Sequence, residues 1–138
     1  MASGSSDKTC EVWSISKKKK LYSVKHNDYI WHVQLVSDQK LGFDLITASD
    51  DKTVKLWRNG QAVKTLKHSN WCNHCELDKQ NRLLAVATDV GVTLWRTDDY
   101  SKIDEVKIGR IFDVRFNANS TKLIAAHNDG PVHEIALE

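Results

Sequence analysis

Thr47-Ala48-Ser49-Asp50-Asp51-Lys52-Thr53-Val54-Lys55-Leu56-Trp57 reads as the end of one apolar strand, a tight polar turn, and a second strand that closes on tryptophan. The stretch recurs. Ser3-Gly4-Ser5-Ser6-Asp7-Lys8-Thr9-Cys10-Glu11-Val12-Trp13 precedes it and Ala85-Val86-Ala87-Thr88-Asp89-Val90-Gly91-Val92-Thr93-Leu94-Trp95 follows it, with Asp and Trp six residues apart each time. A fourth copy stands at Asp129, where the same step lands on Ile135. The steps between Asp7, Asp51, Asp89 and Asp129 are 44, 38 and 40 residues. A self-similar period near 40–45 residues is the mark of a blade-by-blade propeller, so function is to be sought on a binding surface.

On either side, short apolar or alternating runs separated by polar turns give an all-β pattern, with Pro131 the single proline. Strands are predicted over 10–14 and 21–25 in a first, partial blade. The second blade takes 30–35, 45–48, 54–57 and 63–66, and the third takes 72–77, 83–87, 92–95 and 103–107. The last takes 111–116, 123–126 and 132–136. No helix of useful length fits.

These repeats resemble the WD40 family over nearly the whole chain. His26, Thr47, Asp51 and Trp57 match the four positions of that family's hydrogen-bonded tetrad. A Trp N–H only donates, a hydroxyl does both, and a carboxylate accepts, so the four can link two strands, a loop and a turn with no buried group unpaired. The resemblance extends the tetrad to His68, Asp89 and Trp95, with Ala85 in place of the hydroxyl, and to Ser3, Asp7 and Trp13. The chain departs from the family's Trp-Asp dipeptide, since Ser14, Arg58 and Arg96 follow the three tryptophans. The implied fold is a partial WD40 β-propeller of about three to three and a half four-stranded antiparallel blades. Residues 1–25 form the stub of a blade, 26–67 and 68–107 complete repeats, and 108–138 a degenerate repeat lacking its fourth strand. Such a chain is expected to be a piece of a larger propeller or an arc that a second copy closes into a ring.

Net charge is +2 with 28% charged residues, which does not describe a nucleic-acid-binding domain. No apolar run reaches the roughly 18 residues of a membrane span, and no basic-then-apolar leader opens the chain. Three cysteines without a secretory signal suit a reducing compartment. An intracellular protein, cytoplasmic or nuclear, is expected.

Three constellations invite a chemical reading. His26 and Asp51 form no catalytic dyad by any recognisable spacing, because no nucleophile converges on them. His68, Cys72, His74 and Cys75 offer zinc-type ligands. Yet Cys72 and Cys75 align with Ile30 and Val33, and with Ile111 and Val114, so they occupy apolar positions, where buried Cys acts as a small hydrophobe. Neither metal nor cofactor is expected. Lys17 to Lys20 falls in a turn and reads as a solvated, association-resisting charge run.

Trp31 and Trp71 are not explained by the repeat. In the family, the positions three and five residues past the repeat-opening His, with the residue before the turn Asp, look out from the narrow face onto the central entrance. Carried over, these are Tyr29, Trp31 and Asp50, then Trp71, Asn73 and Thr88, then Arg110, Phe112 and Asn128, with Ser6 from the stub. Aromatics and Arg are enriched at interface hot spots. The expectation is a non-catalytic scaffold that binds a protein or peptide through this rim. The alternatives are the substrate-recognition part of a ubiquitin ligase, as the resemblance allows, and a metal-dependent enzyme using the Cys/His group.

Overall fold

A computed structural model describes residues 1–127 and 130–137, and the predicted rim residue Asn128 and turn residue Asp129 lie outside them. The described residues form four antiparallel sheets. Two compact units divide the chain after Trp71. In the first, β1 (Ala2–Gly4), β2 (Thr9–Ser14) and β3 (Lys19–Lys25) make one sheet. Its second sheet is β4 (Ile30–Leu35), β5 (Leu45–Ser49), β6 (Thr53–Arg58) and β7 (Gln61–Lys67). In the second unit, β8 (Cys72–Leu77), β9 (Leu83–Thr88), β10 (Gly91–Arg96) and β11 (Lys102–Lys107) form a four-stranded sheet. There β12 (Asp113–Phe116), β13 (Lys122–Ala126) and β14 (Val132–Ala136) form a three-stranded one. Every pairing is between neighbours in sequence, as turns too short for a crossover require.

Strand alternation sets the cores. In the first unit Cys10, Val12, Val24, Ile30, Leu45 and Trp57 cluster. In the second Ala85, Ala87, Val92, Leu94, Ile111, Val114, Leu123 and Ala125 do so. Each full burial of a Val or Leu side chain is worth about 1.5–3 kcal/mol, and the entropy of ordering the chain offsets most of it.

Two elements differ from the sequence reading. Strand β1 is too short and too rich in Ser and Gly to show a period, yet it pairs with β2 through Ala2↔Val12 and Gly4↔Cys10. The last sheet opens at Asp113 instead of Ile111, whose N–H donates to the Thr88 carbonyl at 2.9 Å.

The pairings also fix which residues are equivalent. Thr47 faces Val33 across β4–β5 and Lys55 across β5–β6, and Val86 faces Cys75 and Thr93 in the same places. Counting on from there, Asp89 is the counterpart of Asp50, not of Asp51. The turn from β9 to β10 is one residue shorter than the turn from β5 to β6. Gly91 makes the short turn possible. It sits at φ 152°, with the Val106 carbonyl oxygen only 1.9 Å from where a Cβ would stand.

Candidate functional site

The two three-residue turns hold the site. Asp7 and Asp51 each take the N–H and hydroxyl of the threonine two residues on, at 3.0 and 2.6 Å for Thr9 and at 3.0 and 2.5 Å for Thr53. Between them Lys8 and Lys52 adopt φ of 73° and 70°. These are Asx-type turns, in which the carboxylate substitutes for a backbone acceptor. Hydrogen bonds from the Thr9 hydroxyl and N–H hold the Asp7 carboxyl below its ordinary range.

At Asp51 the turn joins a buried relay. The Trp57 indole N–H donates to Thr47 Oγ1 at 2.9 Å, and the Thr47 hydroxyl lies 2.5 Å from His26 Nε2. His26 Nδ1 lies 2.8 Å from Asp51 Oδ2. For the neutral imidazole that burial favours, one assignment satisfies all of them: the hydroxyl donates to Nε2, and Nδ1 donates to the carboxylate. His26 and Thr47 are buried, so a broken link here could not be repaired by water.

The other two tetrads are wired differently. The Trp13 indole donates to Glu11 Oε2 at 3.1 Å and not to Ser3. The Trp95 indole donates to Thr93 Oγ1 at 3.1 Å, because Val86, not Ala85, fills the position of Thr47 and has no acceptor to offer. Asp89 accepts from Asn73 and Arg110, as its equivalence to Asp50 predicts. In the first unit His68 Nδ1 lies 3.1 Å from the Leu66 carbonyl.

Burial drives the His26 pKa down, and Asp51 opposes this only in part. For Asp51, burial pushes upward most strongly, but hydrogen bonds from Thr53, His26 and Asn27 together hold the carboxyl below its ordinary range. Both shifts act in one direction. Below the unfolded histidine value of 6.5 the unfolded chain takes up a proton that folded His26 resists. Stability is therefore full above that value and falls as the pH drops. The Asp51 contribution is lost in a second step as the pH falls below the unfolded value of 3.8. We expect the urea midpoint to fall between pH 7.5 and pH 5.5, and His26→Asn to flatten that dependence; an unchanged slope in the variant would place the titration elsewhere.

Each unit carries one of two matching bulges. Pairing slips between Ile30 and His32 in β4, and between Cys72 and His74 in β8, leaving Trp31 and Asn73 outside the ladder. A bulge re-aims the side chain of its extra residue. In the first unit the Trp31 indole donates to Asp50 Oδ1 at 2.6 Å, and the Tyr29 ring meets Trp31 edge-on with centroids 6.4 Å apart. Trp31 is 59% exposed, Tyr29 44% and Trp71 44%. In the second unit Asn73 Nδ2 donates to Asp89 Oδ1 and to the Ile111 carbonyl, both at 2.9 Å. The Arg110 guanidinium donates to Asp89 Oδ2 at 2.6 Å and lies 5.7 Å from the centroid of the exposed Phe112 ring. Thr88 does not belong to this surface. It is buried, and its hydroxyl donates to the Gly91 carbonyl at 3.1 Å within the short turn. Asp89 holds the place of Asp50 in its blade, its side chain covered by Asn73 and Arg110, and only the length of the turn could have revealed it.

Cys72 and Cys75 are buried, and burial raises the Cys75 thiol far above its ordinary value. Among the described residues no cluster of three or more His, Cys, Asp or Glu is assembled to hold a metal, and no helix is long and apolar enough to cross a membrane.

Residues 18–58, which hold strand β3, the relay and the first bulge, match the model of the WD domain, G-beta repeat. That segment is a WD40 repeat. The crystal structure of the WD40 β-propeller domain of Doa1 matches its fold with a TM-score of 0.81 and 23% identity, covering 99% of this chain and 50% of that one. The fold is thus part of a WD40 propeller, with sheets of three and four strands as its blades. Mouse WD repeat and SOCS box-containing protein 1 is 28% identical over 110 residues, 73% of this chain and 25% of the relative. The ribosome biogenesis protein WDR12 homolog of Trichoplax adhaerens is 24% identical over 110 residues, 74% of this chain and 26% of its own length. The chain spans about a quarter of the length of these relatives.

Proposed function

We propose that this WD40 chain is a non-catalytic scaffold that binds a protein partner through the outward surface of its bulges. The observation that supports this most is the exposed Tyr29–Trp31 pair, held in one orientation by the bond from the indole to Asp50. Rings fixed before binding lose little entropy when a partner covers them. Trp71, Asn73, Arg110, Phe112 and Asn128 complete the candidate set. The near-neutral charge favours a protein partner over nucleic acid, and a cytoplasmic or nuclear location suits the three reduced cysteines. A narrower reading, substrate recognition for a ubiquitin ligase, draws support from the likeness to the SOCS box-containing relative.

Affinity capture with wild type and Trp31→Ala, read by quantitative mass spectrometry, tests the proposal. Partners retained by the wild type are expected to bind the variant about 30-fold more weakly, a loss of roughly 2 kcal/mol, with the circular dichroism unchanged. Equal retention, or a collapsed variant, would remove the rim as the binding surface.

A further inference from the structure

We propose that the second unit carries another binding site, separate from the bulges, for a short partner peptide bearing a carboxylate side chain beside a large apolar one. The turns at 78–82, 97–101 and 117–121 lie at the opposite strand ends from Asp89. They enclose a cavity of about 540 Å³ whose lining includes Arg82, Arg96, Gln80 and Ser120. A second cavity of about 350 Å³ shares Leu83 and Arg96 with the first and adds Leu94, Ile103 and Leu137. Arg96 thus stands at the boundary between a polar space and an apolar one.

The acids of these linings are already engaged by backbone. Asp78 is buried, and its Oδ1 accepts the N–H groups of Arg82 and Leu83 at 2.7 and 2.9 Å. Asp98 Oδ1 accepts from the Asp99 N–H, and Asp104 Oδ1 from the Glu105 N–H, both at 2.8 Å. Asp99 feels the charge of Arg96 without an ion pair. Among the described residues neither Arg82 nor Arg96 forms a side-chain ion pair. The first unit shows what occupies such an arginine when the loop is longer. Arg58, which like Arg96 follows the strand-closing tryptophan, donates to the Leu41 carbonyl at 2.9 Å, offered by the long 36–44 connection. The 78–82 turn offers no such carbonyl to Arg96.

The turns are stiff. Thr97 ties two of them together, through N–H to the Arg82 carbonyl at 3.1 Å and hydroxyl to the Asn81 carbonyl at 2.7 Å. Asn117 Oδ1 clamps the third by accepting from Thr121 and Lys122, both at 2.9 Å. Exposed guanidinium groups beside these stiff turns can meet a carboxylate in a fork, and the neighbouring apolar wall selects the adjacent side chain.

The test is titration of the ¹⁵N-labelled chain with an acetylated, amidated hexapeptide of alternating glutamate and leucine. Saturable shifts are expected at the amides of Arg82, Leu83, Arg96 and Thr97. Replacing glutamate by glutamine, or leucine by serine, should weaken binding by about tenfold or more, as should Arg96→Gln. Trp31→Ala should leave it unchanged, which separates this site from the rim. Arg82→Gln repeats the test if Arg96→Gln disturbs β10. No shifts, equal binding of the glutamine peptide, indifference to both arginine variants, or saturation by acetate or inorganic phosphate as tight as by the peptide would each overturn the proposal.

Discussion

Asp51→Ala is expected to destabilise the first unit by about 3 kcal/mol. The carboxylate takes four donors: the Thr53 N–H and hydroxyl on one oxygen, and His26 Nδ1 and the Asn27 N–H on the other. Two of those donors can turn to solvent, but His26 is 1% exposed and cannot. Leaving a buried donor unpaired costs about 1–3 kcal/mol, and bonds to a charged group lie at the upper end. The relay then loses its charged acceptor, and only the Thr53 hydroxyl, 3.3 Å from Nδ1, is left to hold the proton there and keep Nε2 free to accept from Thr47. Asp7→Ala provides the control, since it removes the same type of turn where no histidine waits. Urea unfolding should show a large shift of midpoint for Asp51→Ala and a much smaller one for Asp7→Ala. Equal shifts would mean that the turn alone, without the relay, carries the stability.

Gly91→Ala is expected to cost the second unit about 3–5 kcal/mol, the sum of an unfavourable backbone conformation and an overpacked contact. The added methyl would lie 1.9 Å from the Val106 carbonyl oxygen, a backbone atom of the paired strand β11 that cannot swing aside as a flexible side chain could. The strand itself must shift. Gly109→Ala separates conformation from crowding. It also lies at positive φ, 88°, but its nearest neighbour is the His127 ring at 3.5 Å, an ordinary contact. A loss of about 1–2 kcal/mol is expected there. Hydrogen exchange of the β10 and β11 amides should quicken in Gly91→Ala far more than in Gly109→Ala, and similar rates in the two variants would refute the steric account.

The repeat could be read from the chain because Trp13, Trp57 and Trp95 end equivalent strands, and apolar alternation marked nearly every strand between them. What the six-residue step concealed was an offset. Asp89 keeps the distance from Asp51 to Trp57, yet its turn has lost one residue, so the same count places it at the position of Asp50. Spacing alone cannot distinguish a conserved residue from a shifted one. Pairing can, because Val86 opposite Thr93 fixes the register. The indole acceptors Glu11 and Thr93 were hidden for a related reason. Both lie two residues before their tryptophan on the same strand and same face, a relation too local to stand out among polar strand residues. Thr88 was placed outside because it precedes an aspartate, whereas its side chain turns in to brace the short turn.

The matched bulges have an evolutionary meaning. A residue inside a ladder is constrained on both faces, so changing it means repacking neighbours. Trp31 and Asn73 stand where one extra residue is tolerated, and the chain already shows an aromatic and an amide at this one structural address, each bonded to its own turn aspartate. Under the function proposed above, recognition would diverge blade by blade while the scaffold stays the same, and a change of partner would need point mutations at these bulges alone.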